Sequence, residues 1–226
     1  MRFDVMQRAY LVRVASIGLA AAILGFVALT ALAALVYPGG TYCEPHATSY
    51  RFWGNYFCDL TAPVTGRGED NTRSAAFAEA AFASFACASA PFFWLLARLA
   101  GERRSIRTLG IVSAFATIVL AWLPSRSGPT LHAGAVFSAT IPGLVAVTLG
   151  VVGLWRERSR ARSLRGVAWL GAITLAAGFA DAAGYAFALV THAGCLWWLP
   201  ALQKLAALSL VAWMLAVARA AWRAGR

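Results

Sequence analysis

The chain has 226 residues, 60% of them apolar and only 13% charged, with a formal net charge of +11. Soluble domains average about 25% charged residues. With a mean hydropathy of +0.66, this composition excludes an ordinary soluble domain and points to a membrane. In a soluble protein the basic excess would suggest nucleic acid; here the arginines sit where topology needs them, so no nucleic-acid partner is read.

A membrane span needs about 20 mostly apolar residues. Six runs come close: residues 14–37, 74–99, 108–123, 131–155, 167–191 and 199–222. The predicted fold is therefore all-α: a polytopic membrane protein and a single six-helix bundle without linker or second domain. The third run is the shortest. The first is longer than the roughly 7–15 apolar residues of a signal peptide and reads as a retained helix. Arg2, Arg8 and Arg13 precede it. Arg98, Arg103, Arg104 and Arg107 lie between runs two and three, and Arg156, Arg158, Arg160, Arg162 and Arg165 between four and five. Arg219, Arg223 and Arg226 lie in the last turn of run six and after it. The positive-inside rule then places both termini in the cytoplasm, and the Ala- and Arg-rich composition suits a bacterial inner membrane.

Between the first two runs lies one long extracytoplasmic loop, opening "YPGGTYCEPHATSYRFWGNYFCDL" (Tyr37 to Leu60). Tyr50, Trp53, Tyr56 and Phe57 approach helical spacing, and Asn55 and Asp59 are four apart. A short helix over residues 49–60, lying on the membrane surface, is expected. Run five is dense in small residues (Gly171, Ala176, Ala177, Gly178, Ala180, Gly184), which predicts a central helix packed closely on several neighbours.

Ionisable groups at membrane depth are costly, by about 2.5–3.5 kcal/mol on insertion scales, and belong inside the bundle with partners. Asp181, Tyr185, Ala188 and His192 form one helical stripe. Glu79, Lys204 and His132 fall in the same outer half. Two readings follow: a structural ion pair of Lys204 with Glu79 or Asp181, or a polar cavity capped by the long loop. His132, His192 and Asp181 are candidates for catalysis. His46, His132 and His192 are candidates for zinc, which takes three or four His, Cys or carboxylate ligands, although no HxxxH or HExxH spacing supports a metal. Cys43 and Cys58 in the loop are expected to form a disulfide across about 15 residues, with Cys195 as a competing partner. No GxSxG, P-loop or dinucleotide glycine pattern occurs.

"YPGG…YRFWGNYFCDL" and "LPSRSGPTLHAGAVFS" (Leu123 to Ser138) resemble prokaryotic membrane proteins allied to the DRAM/Sfk/FGF-receptor-activating-protein group. The resemblance implies six helices, a long first loop, roles for Asn55, Asp59, Pro124 and His132, and a link to lipids. The acid that the group carries between its proline and histidine is replaced here by Ser125-Arg126-Ser127. The reading carried forward is a non-catalytic, lipid-related helper with an outward-facing cavity lined by Asn55, Asp59, Glu79, His132, Asp181, Tyr185 and Lys204. In it, Asn55 and Asp59 tie the loop to His132. Its partners are membrane lipids or another membrane protein. The alternatives are a hydrolase or transferase acting on a lipid, with zinc as a possible cofactor, and an accessory subunit of a larger membrane complex.

Overall fold

The computed structural model describes residues 2–101, 103–123, 129–157 and 164–224. Pro124, Ser125, Arg126, Ser127 and the arginines at 158, 160, 162 and 226 lie outside them. Seven helices are present among the described residues: α1 (Arg2–Val36), α2 (Phe57–Thr61), α3 (Thr72–Leu99), α4 (Arg104–Trp122), α5 (Pro129–Glu157), α6 (Leu164–Thr191) and α7 (Trp198–Ala224). Extended pairing among these residues is limited to one isolated bridge, Val64 with Asp70.

Among the described residues, five helices are long and apolar enough to cross a membrane: α1, α3, α5, α6 and α7. Their outward faces carry exposed Leu24, Leu35, Ile173 and Val190. Soluble monomers rarely expose contiguous apolar patches beyond a few hundred Å², whereas a bundle solvated by hydrocarbon must. The architecture is that of a polytopic helical membrane protein.

The helices form a ring in the order α1, α3, α4, α5, α6, α7, with α3 also reaching α5 and α7 across it. The centre is therefore α3, not the glycine- and alanine-rich α6 that the sequence suggests. Ala75, Ala78, Ala81 and Ala88 bury one side of α3, and Phe92, Phe93, Leu95 and Leu96 fill its other half. In α6 only Leu164, Val167, Ala168, Gly171 and Thr174 are buried, all in its first half. Of its later small residues, Gly178 and Ala182 line cavities, while Gly184 packs closely, a Cβ there falling 2.8 Å from Leu199.

Where helices do close up, small polar residues bond across the gap, as expected where hydrocarbon gives no hydrophobic drive between helices. Ser84 Oγ donates to the Ala22 carbonyl at 2.9 Å across the α1–α3 seam. A Cβ at Gly25 would sit 2.7 Å from that same Oγ. Ser113 donates to the Ala139 carbonyl at 2.7 Å between α4 and α5. Ser16 donates to Ala218 at 3.3 Å between α1 and α7. Trp213, fully buried, stacks edge-on against Phe92 at 5.3 Å and anchors the core.

Residues 37–71 cap the end of the bundle where α1 and α6 finish and α3 and α7 begin. The expected helix over 49–60 is shorter: only Phe57–Thr61 is helical. Upstream, Asn55 turns back to bond Arg51 through both its N–H and its side chain, and Tyr56 is extended (φ −74, ψ 159). Gly39 and Gly40 have positive φ (128 and 85). A Cβ at Gly39 would meet the Ala47 carbonyl at 2.3 Å, so the Pro-Gly-Gly break packs the loop back on itself as well as ending α1.

Candidate functional site

The loop is held down by adjacent residues of α7. Lys204 is fully buried, and its Nζ donates to the Asn55 carbonyl at 2.6 Å. The ammonium also lies 4.1 Å from the Phe57 ring centroid, with Tyr50 and Phe52 at 5.9 and 5.8 Å. A buried ammonium survives only if its protons are bonded and its charge is answered; a carbonyl and three ring faces do that here. One residue earlier, Gln203 Oε1 accepts the Phe57 N–H at 2.9 Å, supplying an acceptor for the first N–H of α2.

Asn55, itself fully buried, joins the loop together. Its Oδ1 accepts from Arg51 N at 2.9 Å, and its Nδ2 donates to the Gly40 carbonyl at 2.8 Å and to Asp59 Oδ2 at 3.0 Å. The same Oδ2 accepts Tyr56 N–H at 2.8 Å, the carboxylate half of a capping box for α2. The tie from Asn55 and Asp59 therefore runs to Gly40 and Lys204, not to His132. His132 Nδ1 bonds the Leu123 carbonyl at 3.0 Å and joins the end of α4 to the start of α5. A carbonyl only accepts, so Nδ1 carries the proton. In the neutral ring Nε2 is then left as an acceptor.

Cys43 pairs with Cys195 (Cα–Cα 4.9 Å), not with Cys58. The reason is placement: the loop folds over the bundle, so Cys43 meets the α6–α7 turn while Cys58 points down from α2 into a cavity. The bond is a third tie between the loop and the α6/α7 side.

Beneath this lid is a cavity of about 280 Å³. Tyr42, Tyr56, Cys58 and Asp59 of the loop face His132, Phe137, Asp181, Tyr185 and Gln203 across it. A second cavity of about 270 Å³ continues inward, lined by Phe82, Phe85, Phe92, Leu144, Ala207 and Met214 among others. The two share Thr140, Asp181 and Gln203. The result is a chamber under the lid that gathers the titratable groups, the polar chamber, and a more apolar chamber below it whose Ser89, Ser113, Thr117 and Thr174 hydroxyls bond backbone carbonyls, with a carboxylate and an amide at their junction.

No protein-family model, curated protein or solved structure matches this chain.

Of the candidates from the sequence, Asp59, His132, Asp181 and Tyr185 meet in the polar chamber. Asn55 and Lys204 stand behind its wall as supports. Glu79 is half-buried on α3 and lines neither chamber. No ion pair joins Lys204 to Asp181 or Glu79 among the described residues; within the loop, Arg51 pairs with Glu44, and Arg67 with Glu69 at 2.9 Å. His192 and His46 are exposed and outside the chamber. His192 has φ 49 just past α6, the left-handed conformation that ends helices. The three histidines therefore do not converge, and no three His, Cys, Asp or Glu among the described residues are placed to hold a metal. Tyr42, Tyr56, Phe137, Thr140 and Gln203 complete the chamber. Gln203 is legible as the polar neighbour of Lys204 near the outer end of run six; Tyr42, Tyr56, Phe137 and Thr140 are not, because isolated aromatics and a threonine read as interfacial or core residues.

Burial dominates the electrostatics of the lid. It raises the Asp59 carboxyl above the ordinary carboxylate value, against the hydrogen bonds from Asn55 and Tyr56 and the attraction of Lys204. Burial, then the Asp59 charge, pushes up the thiol of Cys58 and the phenols of Tyr50 and Tyr56. The Tyr50 hydroxyl is buried and has no hydrogen-bond partner among the described residues.

Proposed function

We propose that this protein crosses a bacterial inner membrane six times, with both termini in the cytoplasm, and binds a lipid in the two-chamber cavity beneath its extracytoplasmic loop. The polar head would occupy the chamber under the lid and an acyl chain the apolar one. The observation that carries the reading is the continuity of the chambers at Thr140, Asp181 and Gln203; ligand sites are mostly apolar clefts with a few convergent polar groups. Supporting the sixth span, α4 packs between α3 and α5. The orientation rests on the arginine distribution. The resemblance to the DRAM/Sfk/FGF-receptor-activating-protein group points toward lipids as well.

Native mass spectrometry of the full chain purified in mild detergent tests the reading. A stoichiometric lipid is expected, and Ala207→Phe, which fills the inner chamber, displaces it. A lipid-free chain held in a stable larger complex would instead make it an accessory subunit. Reporter fusions at the two termini test the orientation.

A second reading is favoured by one feature. His132 and Asp181 line the same chamber, and the Nε2 of His132 is placed to accept a proton from water or a hydroxyl. A lipid hydrolase built this way loses turnover in His132→Ala while still binding lipid. Should that activity prove metal-dependent, zinc would have to find ligands beyond the three histidines.

A further inference from the structure

We propose that the amphiphile bound here carries a single positive charge in its head group, a primary amine or a quaternary ammonium, and that the chamber selects against phosphate monoesters. The inference rests on the lipid-binding reading above and assigns the class of head group.

The polar chamber presents two carboxylates, and no lysine or arginine lines it among the described residues. Asp181 accepts no hydrogen bond and joins no ion pair among those residues. Asp59 uses one oxygen for both of its bonds, from Asn55 and from Tyr56. Its other oxygen accepts no hydrogen bond among the described residues. The nearest cation, Lys204, is committed to the Asn55 carbonyl and the Phe57 ring and stands outside the lining. Burial favours the protonated form of Asp59, so the recognition rests first on Asp181, which has no cation beside it in the chamber lining. A monovalent cation supplies that counter-charge, with the second oxygen of Asp59 as a further acceptor.

The rest of the wall suits such a cation. Tyr42, Tyr56, Phe137 and Tyr185 surround the carboxylates, with Phe137 and Tyr185 in ring contact at 5.9 Å. Aromatic faces attract ammonium groups, and quaternary ones lose least on leaving water. A phosphate monoester would meet two acids and no donor cation, whereas phosphate sites gather Arg, Lys or helix N-termini. Below the junction the lining turns apolar through Leu144, Ala207 and Met214, which fits a hydrocarbon tail and not a free amine.

The test uses the full chain in maltoside micelles, with thermal unfolding followed in the presence of dodecylamine, dodecyltrimethylammonium, dodecanol or dodecyl phosphate at equal low mole fraction. The two cations are expected to raise the melting temperature and the phosphate is not. Asp181→Asn is expected to weaken the cation's apparent affinity on the order of tenfold or more, as when one member of a desolvated charge pair is removed, and Asp59→Asn, whose carboxyl is raised by burial, to weaken it less. Dodecanol binding should be unmoved by either variant. Ala207→Phe serves as the control for the cavity itself. If dodecanol and dodecyl phosphate stabilise as well as the cations, and only Ala207→Phe abolishes the effect, the cavity reading stands and the charge assignment is wrong. If no amphiphile stabilises the chain and Ala207→Phe changes nothing, both fail.

Discussion

Replacing Lys204 with methionine removes the ammonium while keeping a flexible stem of similar length, so it isolates the charge that holds the lid. A hydrogen bond from a charged donor is worth about 1.5–3 kcal/mol, and a desolvated cation–π contact about 2. Both are lost with the Nζ that lies 2.6 Å from the Asn55 carbonyl and 4.1 Å from the Phe57 ring. Against this, the variant escapes the several kcal/mol spent on burying an ion. Because these two effects nearly cancel, the deciding quantity is what remains: Asn55, fully buried, keeps a carbonyl that has lost its donor. An orphaned acceptor costs about 1–3 kcal/mol, equivalent to a roughly five- to 150-fold shift of an equilibrium. Lid opening should rise by that factor. The assay is alkylation of Cys58, which lines the cavity under the lid, in a Cys87→Ser background that removes the other free cysteine, an exposed one. When reclosure is fast, the labelling rate follows the open population. Labelling at the wild-type rate together with an unchanged melting temperature would refute the clamp and leave the loop held by its other ties.

Peptide mapping without reductant should recover Cys43 joined to Cys195. These cysteines are 152 residues apart, and closing a loop that long is worth about 5 kcal/mol in the chain-entropy picture, so Cys195→Ser should melt lower and Cys58→Ser should not. A Cys43–Cys58 peptide would overturn the pairing. Asp59 has its carboxyl raised by burial, so the folded state keeps this proton to higher pH than the unfolded chain does. Its contribution is full below the ordinary carboxylate value and is lost as pH rises through the folded value, with a slope of at most about 1.4 kcal/mol per pH unit. Asp59→Asn retains an oxygen for Asn55 and Tyr56 and should flatten melting temperature against pH from about 4 upward; an unchanged or steeper fall contradicts the sign. Finally, a Cβ at Gly110 would sit 2.1 Å from the Phe93 ring, whereas one at Gly18 meets nothing within 4 Å. Gly110→Ala should therefore cost about 1–3 kcal/mol by overpacking and Gly18→Ala gain about 0.5–1, read as melting temperatures of opposite displacement.

What the sequence made legible follows from how sharply each pattern is tied to one physical demand. Apolar run length is fixed by bilayer thickness, so five of the six expected runs reappear as helices fit to cross a membrane. Helix neighbours are not fixed that way. Small residues permit close packing but also permit empty space, and in α6 Gly178 and Ala182 serve the second purpose. The same ambiguity misleads on the cysteines: spacing along the chain favours Cys43 with Cys58, and only the fold of the loop brings Cys43 to Cys195. Of the four titratable residues expected in the cavity and found there, Asp181, Tyr185 and His132 follow from their depth in the bundle, and Asp59 from the loop motif that carries the resemblance. Their partners do not, because backbone carbonyls leave no trace in composition.

That last point decides how the site works. Pattern reading pairs a buried lysine with a buried acid, since opposite charges are what a sequence displays. Here the lysine is answered by a main-chain carbonyl and ring faces. Had Lys204 bonded Asp181 directly, the chamber would hold a closed ion pair with little reason to admit a charged guest. Using a carbonyl instead spends the cation on fastening the lid and leaves Asp181 and one oxygen of Asp59 free at the cavity wall. Fastening and recognition are then coupled through one turn of α7. Gln203 accepts the first N–H of α2 while lining both chambers, so a guest that displaces its amide also loosens the lid. Gln203→Leu should accordingly change lid opening and ligand affinity together, whereas Lys204→Met changes opening first and affinity only through it.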